Sequence, residues 1–95
     1  MATFIALGRS TDEGLKNIIA LTERHNAAVR RVEAAGVKVL GSYAVMGRYD
    51  YVVILEAPDA AACIRALSRE ASGGNIRYET MAAIPTEEFG KLLSP

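Results

Sequence analysis

The sequence predicts a ferredoxin-like α+β domain, in which a four-stranded antiparallel sheet carries two helices on one face. The segments follow one another as strand, helix, strand, strand, helix, strand, and right-handed crossovers fold this order into a single sheet. The strands at residues 3–7 and 51–55 are apolar on both faces, so both faces of the sheet need cover. The helices cover one face. A second copy of the sheet is the simplest cover for the other.

Length and charge limit the classes of function. The 95 residues predict one domain over residues 1–95. Eleven basic and eleven acidic residues cancel, so no positive field attracts nucleic acid or acidic lipid. No run reaches the roughly 18 apolar residues of a membrane span, and the N-terminus does not resemble a signal peptide. Cys63 is the single cysteine, which excludes an internal disulfide and argues against zinc. We expect a cytoplasmic protein without nucleic-acid or membrane partners, cofactor or metal.

The first helical segment follows the strand at residues 3–7. Residues 10–13, Ser-Thr-Asp-Glu, have the spacing of a capping box that starts a helix. Thr22 followed by Glu23 is a second capping pattern, so the segment is either one helix or two with a break near residues 20–22. Gly36 ends it, as glycine commonly does just past a helix. One side of the segment carries a stripe at helical intervals, made of Leu15, Ile18, Ile19, Thr22, His25, Val29 and Val32.

The centre of the chain is a turn and a strand at residues 47–59, Gly-Arg-Tyr-Asp-Tyr-Val-Val-Ile-Leu-Glu-Ala-Pro-Asp. A strand over residues 37–46 precedes it, with Gly41 as an expected bulge. Residues 47–50 are typical of a tight turn. The apolar run after the turn is too short for a helix and typical of a strand. Pro58 stops the strand and Asp59 is suited to cap the following helix.

The second half of the chain completes the pattern. The helix after Asp59 ends at residues 72–75, and residues 76–84 predict the last strand. Residues 85–88, Pro-Thr-Glu-Glu, begin a terminal helix with Thr86 as its expected cap. The predicted inner face of the middle helix is Ala60, Cys63, Ile64 and Leu67. The apolar side of the terminal helix is Phe89, Leu92 and Leu93.

Several short motifs recur together in one known family. They are Gly47-x-Tyr49-Asp50 with the apolar strand after it, Glu-Ala-Pro-Asp at 56–59, Gly-Asn-Ile-Arg at 74–77 and Glu-Glu-Phe at 87–89. With these motifs the whole chain resembles the GYD-domain family of small bacterial and archaeal proteins. The resemblance implies a dimeric α/β barrel, in which two ferredoxin-like sheets pack face to face, and it implies no particular reaction. Similar barrels include cofactor-free monooxygenases, isomerase-like enzymes, haem-processing proteins and ligand-sensing domains, which is analogy of fold only.

Three groups of residues are candidates for a site. His25 is the only histidine, and its stripe directs it between helix and sheet, as a base, a ligand contact or a structural group. In the turn, Arg48 would meet an anion while Tyr49 stacks and Asp50 orients, although Asp50 more simply bonds backbone amides of the turn. The strand tyrosines, among them Tyr43 and Tyr78, would line a small-molecule cavity or an interface.

Two classes of function remain open. The first is a homo-oligomer, a dimer or a multiple of dimers, that binds a small apolar or aromatic molecule between sheet and helices. The second is a cofactor-free enzyme of the monooxygenase or isomerase kind, with His25 as base and Arg48, Tyr43 or Tyr49 positioning an oxyanion. The sequence contains no nucleophile–base pair, phosphate-binding glycine loop or cofactor fingerprint, which favours the first class.

Overall fold

The computed structural model describes all residues, Met1–Pro95, and confirms the ferredoxin-like fold. One antiparallel sheet has the strand order β2-β3-β1-β4. Its strands are β1 (Ala2–Ser10), β2 (Lys38–Ala44), β3 (Tyr51–Ala57) and β4 (Ile76–Ala83). The helices are α1 (Asp12–Lys16), a 3-10 turn (Ile18–Ala20), α2 (Leu21–Ala34), α3 (Ala60–Ala71) and α4 (Thr86–Leu92). No helix is long and apolar enough to cross a membrane.

The core lies between the sheet and the helices α2 and α3. It consists of Phe4, Ala6, Val32, Val37, Leu55, Ala57, Cys63, Ala66 and Leu67. Burial raises the pKa of the Cys63 thiol, which remains a small apolar core group. The predicted inner face of α3 was wrong at Ala60 and Ile64, which are exposed. The buried stripe of α3 follows i, i+3, i+4 spacing from Cys63 through Ala66 to Leu67, and Ile64 lies about 100° around the helix from it.

The first helical segment consists of two helices, α1 and α2, separated by the 3-10 turn. This confirms the second of the two interpretations of the sequence, two helices with a break. Thr11 caps α1 by accepting a hydrogen bond from the Gly14 amide at 3.1 Å, one residue later than the capping box at 10–13 predicted. Thr22 caps nothing, because α2 begins at Leu21 without a side-chain cap. The predicted stripe was wrong before α2, because Leu15, Ile18 and Ile19 are exposed, as is Thr22 in the first turn of α2. It holds over His25, Val29 and Val32, which are half-buried or buried.

Two glycines and a bulge shape β2 and its connections. Gly36 ends α2 with a φ of +89°, and Gly47 begins the turn before β3 with a φ of +116°. The register of β2 against β3 shifts between Val39 and Gly41, which confirms the expected bulge. Residues 45 and 46 lie outside the strand, so β2 is shorter than predicted.

The second face of the sheet carries no helix. Strand pairing places on it a set of apolar side chains that are half-buried or exposed, which we call the open face: Ile5, Leu7, Leu40, Tyr43, Val52, Ile54 and Met81. The terminal helix α4 does not cover the face, and its apolar residues Phe89, Leu92 and Leu93 are exposed. Pro85 occupies the N-cap position of α4, so the prediction that Thr86 caps this helix was wrong.

Candidate functional site

A cleft of about 390 Å³ opens between α2 and one end of the sheet. Tyr51 and Val53 of β3 and Tyr78 of β4 lie on its sheet side. Leu21 and Ala28 of α2 form part of the opposite wall. The volume falls within the range of about 300–1,000 Å³ that is usual for small-molecule sites.

A glycine in β1 lies between the two strand tyrosines of the cleft. Gly8 pairs with Tyr51 on one neighbouring strand and with Tyr78 on the other, so all three share one sheet face. A Cβ atom on Gly8 would lie 3.0 Å from Cδ1 of Ile76 and 3.4 Å from Cβ of Tyr51. Gly8 is buried because the Ile76 and Tyr51 side chains pack over its backbone. The Cα atoms of the two tyrosines are roughly 10 Å apart across three strands.

The Tyr78 hydroxyl is a neutral hydrogen-bond donor in the cleft. Burial, the Glu70 carboxylate and Tyr51 raise the pKa of Tyr78 to about 12. Its phenol therefore stays protonated at neutral pH. The hydroxyl has no hydrogen-bond partner in the protein, whereas that of Tyr51 accepts a bond from the Ser10 hydroxyl at 3.3 Å.

His25 lies in the helical wall of the cleft. It follows Leu21 by four residues and precedes Ala28 by three, which places the three side chains on one side of α2. The imidazole is half-buried and makes no hydrogen bond to another protein group. Its ring nitrogens are therefore free to contact water or a molecule in the cleft.

An ion pair joins the two helices at the cleft. Arg31 of α2 donates from Nε to Oε2 of Glu70 at 3.0 Å and from Nη2 to Oε1 at 2.7 Å. The Glu70 side chain is only 9% exposed and that of Arg31 is 61% exposed. The paired hydrogen bonds raise the pKa of Arg31, and both charges are matched within the pair.

The residues predicted for a site separate into two locations. Tyr78 and His25 line the cleft, and Tyr43 is at its edge. The Tyr43 ring, however, packs over Gly41, where its Cε2 lies 3.1 Å from the position of an added Cβ. Tyr43 therefore belongs mainly to the open face.

The turn residues Arg48, Tyr49 and Asp50 lie outside the cleft. The Tyr49 hydroxyl donates to Oε2 of Glu79 at 2.7 Å, which raises the pKa of Tyr49. The guanidinium of Arg9 lies 5.6 Å from the centre of the Tyr49 ring, and its Nε donates to the Arg48 carbonyl at 2.8 Å. These contacts hold the turn against the end of β1 and the middle of β4.

Asp50 joins the turn to the first strand. Its Oδ2 accepts a hydrogen bond from the Ser10 amide at 2.8 Å, and its own amide donates to the Gly8 carbonyl at 2.9 Å. The carboxylate thus bonds an amide of β1 instead of the amides of its own turn. Because Gly8 pairs with both Tyr51 and Tyr78, these bonds also fix the backbone between the two tyrosines.

We expect Asp50→Ala to lower the free energy of unfolding by about 1–2 kcal/mol, because the part-buried Ser10 amide loses its acceptor. Thermal or urea unfolding would measure the loss. Asp50→Asn keeps an acceptor oxygen and should lose less. If Asp50→Ala unfolds like the wild type but no longer binds the ligand, Asp50 belongs to the binding site instead.

Sequence reasoning missed two groups in the cleft. Asn75 precedes β4 and lines the cleft, and its Oδ1 is buried without a hydrogen-bond partner. Arg31 and Glu70 are 39 residues apart and meet only in the folded chain. The alternation of β3 puts Tyr51 on the same face as Val53, but it does not say which face carries the helices.

The fold and the cleft define a small α+β domain of ferredoxin-like topology, with a ligand-sized space between helices and sheet. No group of three or more His, Cys, Asp or Glu side chains is placed to hold a metal ion. The GYD domain matches residues 4–93, and the chain belongs to this family.

Known proteins are similar to this chain over most of its length. A Thermus thermophilus protein described as a glutamine synthetase and cystathionine beta-lyase binding protein is 39% identical over 90 residues, which cover 94% of this chain and 95% of that protein. A crystal structure of a Thermus thermophilus protein has a TM-score of 0.57 at 21% identity, covering 90% of this chain and 95% of the other. A feast or famine regulatory protein from M. tuberculosis, complexed with L-methionine, has a TM-score of 0.59 at 19% identity, covering 90% and 51%. The two structures share the fold.

Proposed function

We propose that this chain is a homo-oligomeric binding protein that holds a small, mainly apolar molecule in the cleft between α2 and the sheet. The cleft itself is the observation that carries the proposal. It combines apolar walls with a few polar groups that have no partner in the protein, among them His25 and the Tyr78 hydroxyl. Such a combination is typical of small-molecule sites, where apolar surface supplies affinity and isolated polar groups supply orientation.

The open face supports the oligomeric part of the proposal. A four-stranded sheet with strands of seven to nine residues offers an area comparable to the roughly 800 Å² that each partner buries in a standard interface. A second copy brings an equally apolar face of the same dimensions. Two sheets packed in this way form the dimeric α/β barrel, and the clefts remain accessible because they lie on the helical sides.

Native mass spectrometry of freshly purified protein tests both parts of the proposal. We expect a dimer or a multiple of dimers, carrying up to one small molecule per subunit. Denaturing the same sample should release that molecule for identification. A monomer at micromolar concentration, checked by light scattering, would refute the assembly. A broad set of small aromatic compounds can also be titrated while the nuclear magnetic resonances of Val53 and Ile76 are followed. If none of the compounds shifts these resonances, the cleft is not a binding site.

A second candidate function is binding to metabolic enzymes. It rests on the description of the Thermus relative, which is similar over nearly the whole chain, and on the exposed apolar residues of α4. Biolayer interferometry with glutamine synthetase and cystathionine beta-lyase from the organism that encodes this chain would test it. Binding lost in the double variant Phe89→Ser, Leu92→Ser, with the fold and the cleft intact, would assign α4 to the partner surface. Undiminished binding would exclude α4 from that surface.

His25 distinguishes a binding protein from a cofactor-free enzyme. We expect His25→Gln to retain the fold and the bound molecule, because Gln keeps a donor and an acceptor in the wall of the cleft. Mass spectrometry of the released molecule, incubated with either protein, would reveal any chemical conversion. If the wild type converts it and His25→Gln does so at least about a hundredfold more slowly while still binding it, His25 is a general base and the protein is an enzyme.

A further inference from the structure

We propose that the cleft selects an apolar molecule that carries one carboxylate group, and that the guanidinium of Arg24 binds this carboxylate. The inference rests on the proposed small-molecule function and adds the charge of the ligand. Arg24 lines the cleft and is half-buried. Its side chain makes a single hydrogen bond within the protein, from Nη1 to the Asn17 carbonyl at 2.6 Å. A carbonyl carries no net charge, so this bond positions the guanidinium without neutralising it.

The charged groups of the cleft leave one positive charge without a partner. Arg24, Arg31 and Glu70 are the charged side chains that line it, and two arginines with one glutamate give a net charge of +1. Glu70 is used by Arg31 in the only ion pair of the chain. The residues on the sheet side are uncharged, and Tyr78, with a pKa of about 12, adds no negative charge at neutral pH. A single carboxylate therefore balances the cleft, whereas a doubly charged phosphate would exceed it.

The free edge of the Arg24 guanidinium has the geometry that a carboxylate needs. Because the bond to the protein is made by Nη1, the edge formed by Nε and Nη2 has no partner. Two parallel hydrogen bonds from this edge to two carboxylate oxygens are the usual arrangement of a bidentate pair. Arg31, two turns further along the same helix, uses the same edge to bind Glu70, with bonds of 3.0 and 2.7 Å.

The rest of the cleft suits a donor beside the carboxylate and a ring beyond it. His25 follows Arg24 directly and is also half-buried, and its imidazole makes no hydrogen bond to another protein group. One of its ring nitrogens can donate to the carboxylate that Arg24 holds. Val53, Ile76 and the Tyr51 ring line the cleft on the side of the sheet. A small aromatic carboxylate matches this arrangement, with its charge towards α2 and its ring towards the sheet.

Three probes of nearly equal shape test the recognition on the unmodified protein. Benzoate carries the carboxylate, benzamide replaces it with a neutral polar group, and toluene replaces it with an apolar methyl group. Titration of the oligomer with each probe, following the nuclear magnetic resonances of Val53 and Ile76, would give the three affinities. We expect benzoate to bind at least about tenfold more tightly than either of the others, because hydrogen bonds between charged groups are stronger than those between neutral ones.

Variants assign the preference to Arg24. Arg24→Gln removes the charge and should reduce the affinity for benzoate at least about tenfold, while that for toluene stays within about twofold. Arg30→Gln is the matched control, because Arg30 is an exposed arginine of the same helix that does not line the cleft. It makes the same change in net charge and should alter neither affinity by more than about twofold at physiological salt. If Arg24→Gln does not fold, Arg24→Lys serves the comparison, with an expected loss of about threefold, since lysine keeps the charge without the bidentate edge.

The outcomes separate this inference from the proposed function. If benzamide or toluene binds in the cleft as tightly as benzoate, recognition of a carboxylate is refuted while the small-molecule site stands. An equal loss of benzoate affinity in Arg24→Gln and Arg30→Gln would attribute the preference to the overall charge of the protein, and would refute the role of Arg24. If neither these probes nor the broader set of aromatic compounds shifts the cleft resonances, both the inference and the proposed function are wrong.

Discussion

Replacing Gly14 by alanine is expected to lower the free energy of unfolding by about 3 kcal/mol or more. The added Cβ would lie 2.1 Å from the Asn75 carbonyl oxygen and 3.0 Å from its carbonyl carbon, distances that the folded chain cannot accommodate without moving. The clashing atoms belong to the backbone, so no side-chain rotation relieves the overlap. Overpacking of this kind usually costs about 1–3 kcal/mol, and a contact with fixed backbone lies at the upper end or beyond. Urea unfolding monitored by circular dichroism would measure the loss.

Gly90→Ala is the matched control for this prediction. Gly90 also lies in a helix, α4, but no atom comes within 4 Å of its added Cβ. That substitution should leave stability unchanged or raise it by up to about 1 kcal/mol, because alanine favours the helix more than glycine does. An equal, small effect at both positions would show that α1 can move away from the start of β4.

Replacing Ile54 by lysine is expected to dissociate the proposed dimer. Ile54 is at the centre of the open face, on β3, with β1 and β2 on either side. In the dimer its side chain would be buried against the second sheet, where an ammonium group would find no water and no partner charge. We expect the dimer dissociation constant to rise at least about a hundredfold, which corresponds to a cost of roughly 2.7 kcal/mol. Sedimentation velocity across a range of concentrations would show the change.

The control for Ile54→Lys is the same substitution at another exposed isoleucine. Ile64 is 61% exposed on the outer side of α3, away from the open face, so Ile64→Lys should leave the assembly intact. The Ile54→Lys monomer should still fold, because a lysine on an exposed sheet face can extend its ammonium group into water. A dimer that persists in the Ile54→Lys variant would mean that the copies do not associate through this face.

The two largest effects depend on different kinds of information. The effect of Ile54→Lys on the proposed dimer could be predicted from the sequence, since a strand with apolar residues on both faces must be covered on both sides. The effect of Gly14→Ala on stability could not be predicted in this way, because nothing near Gly14 in the chain indicates its contact with Asn75, 61 positions later. Local spacing also misjudged Ile64 and the cap at Thr86, because helix phase and helix starts shift by a residue without changing the overall pattern.

The sequence by itself determined the order and type of the elements, the two-sided apolar strands, the family and hence the ferredoxin-like fold. These features depend on periodicity and turn chemistry within short stretches of chain, so they can be predicted from the sequence alone. Only the tertiary structure decided where a ligand-sized space exists. Strand register sets Tyr51 and Tyr78 on either side of Gly8, and the packing of α2 brings His25 over the same end of the sheet. Such contacts join residues that are dozens of positions apart. Their partners are chosen by the packing of the whole domain, which no local pattern encodes.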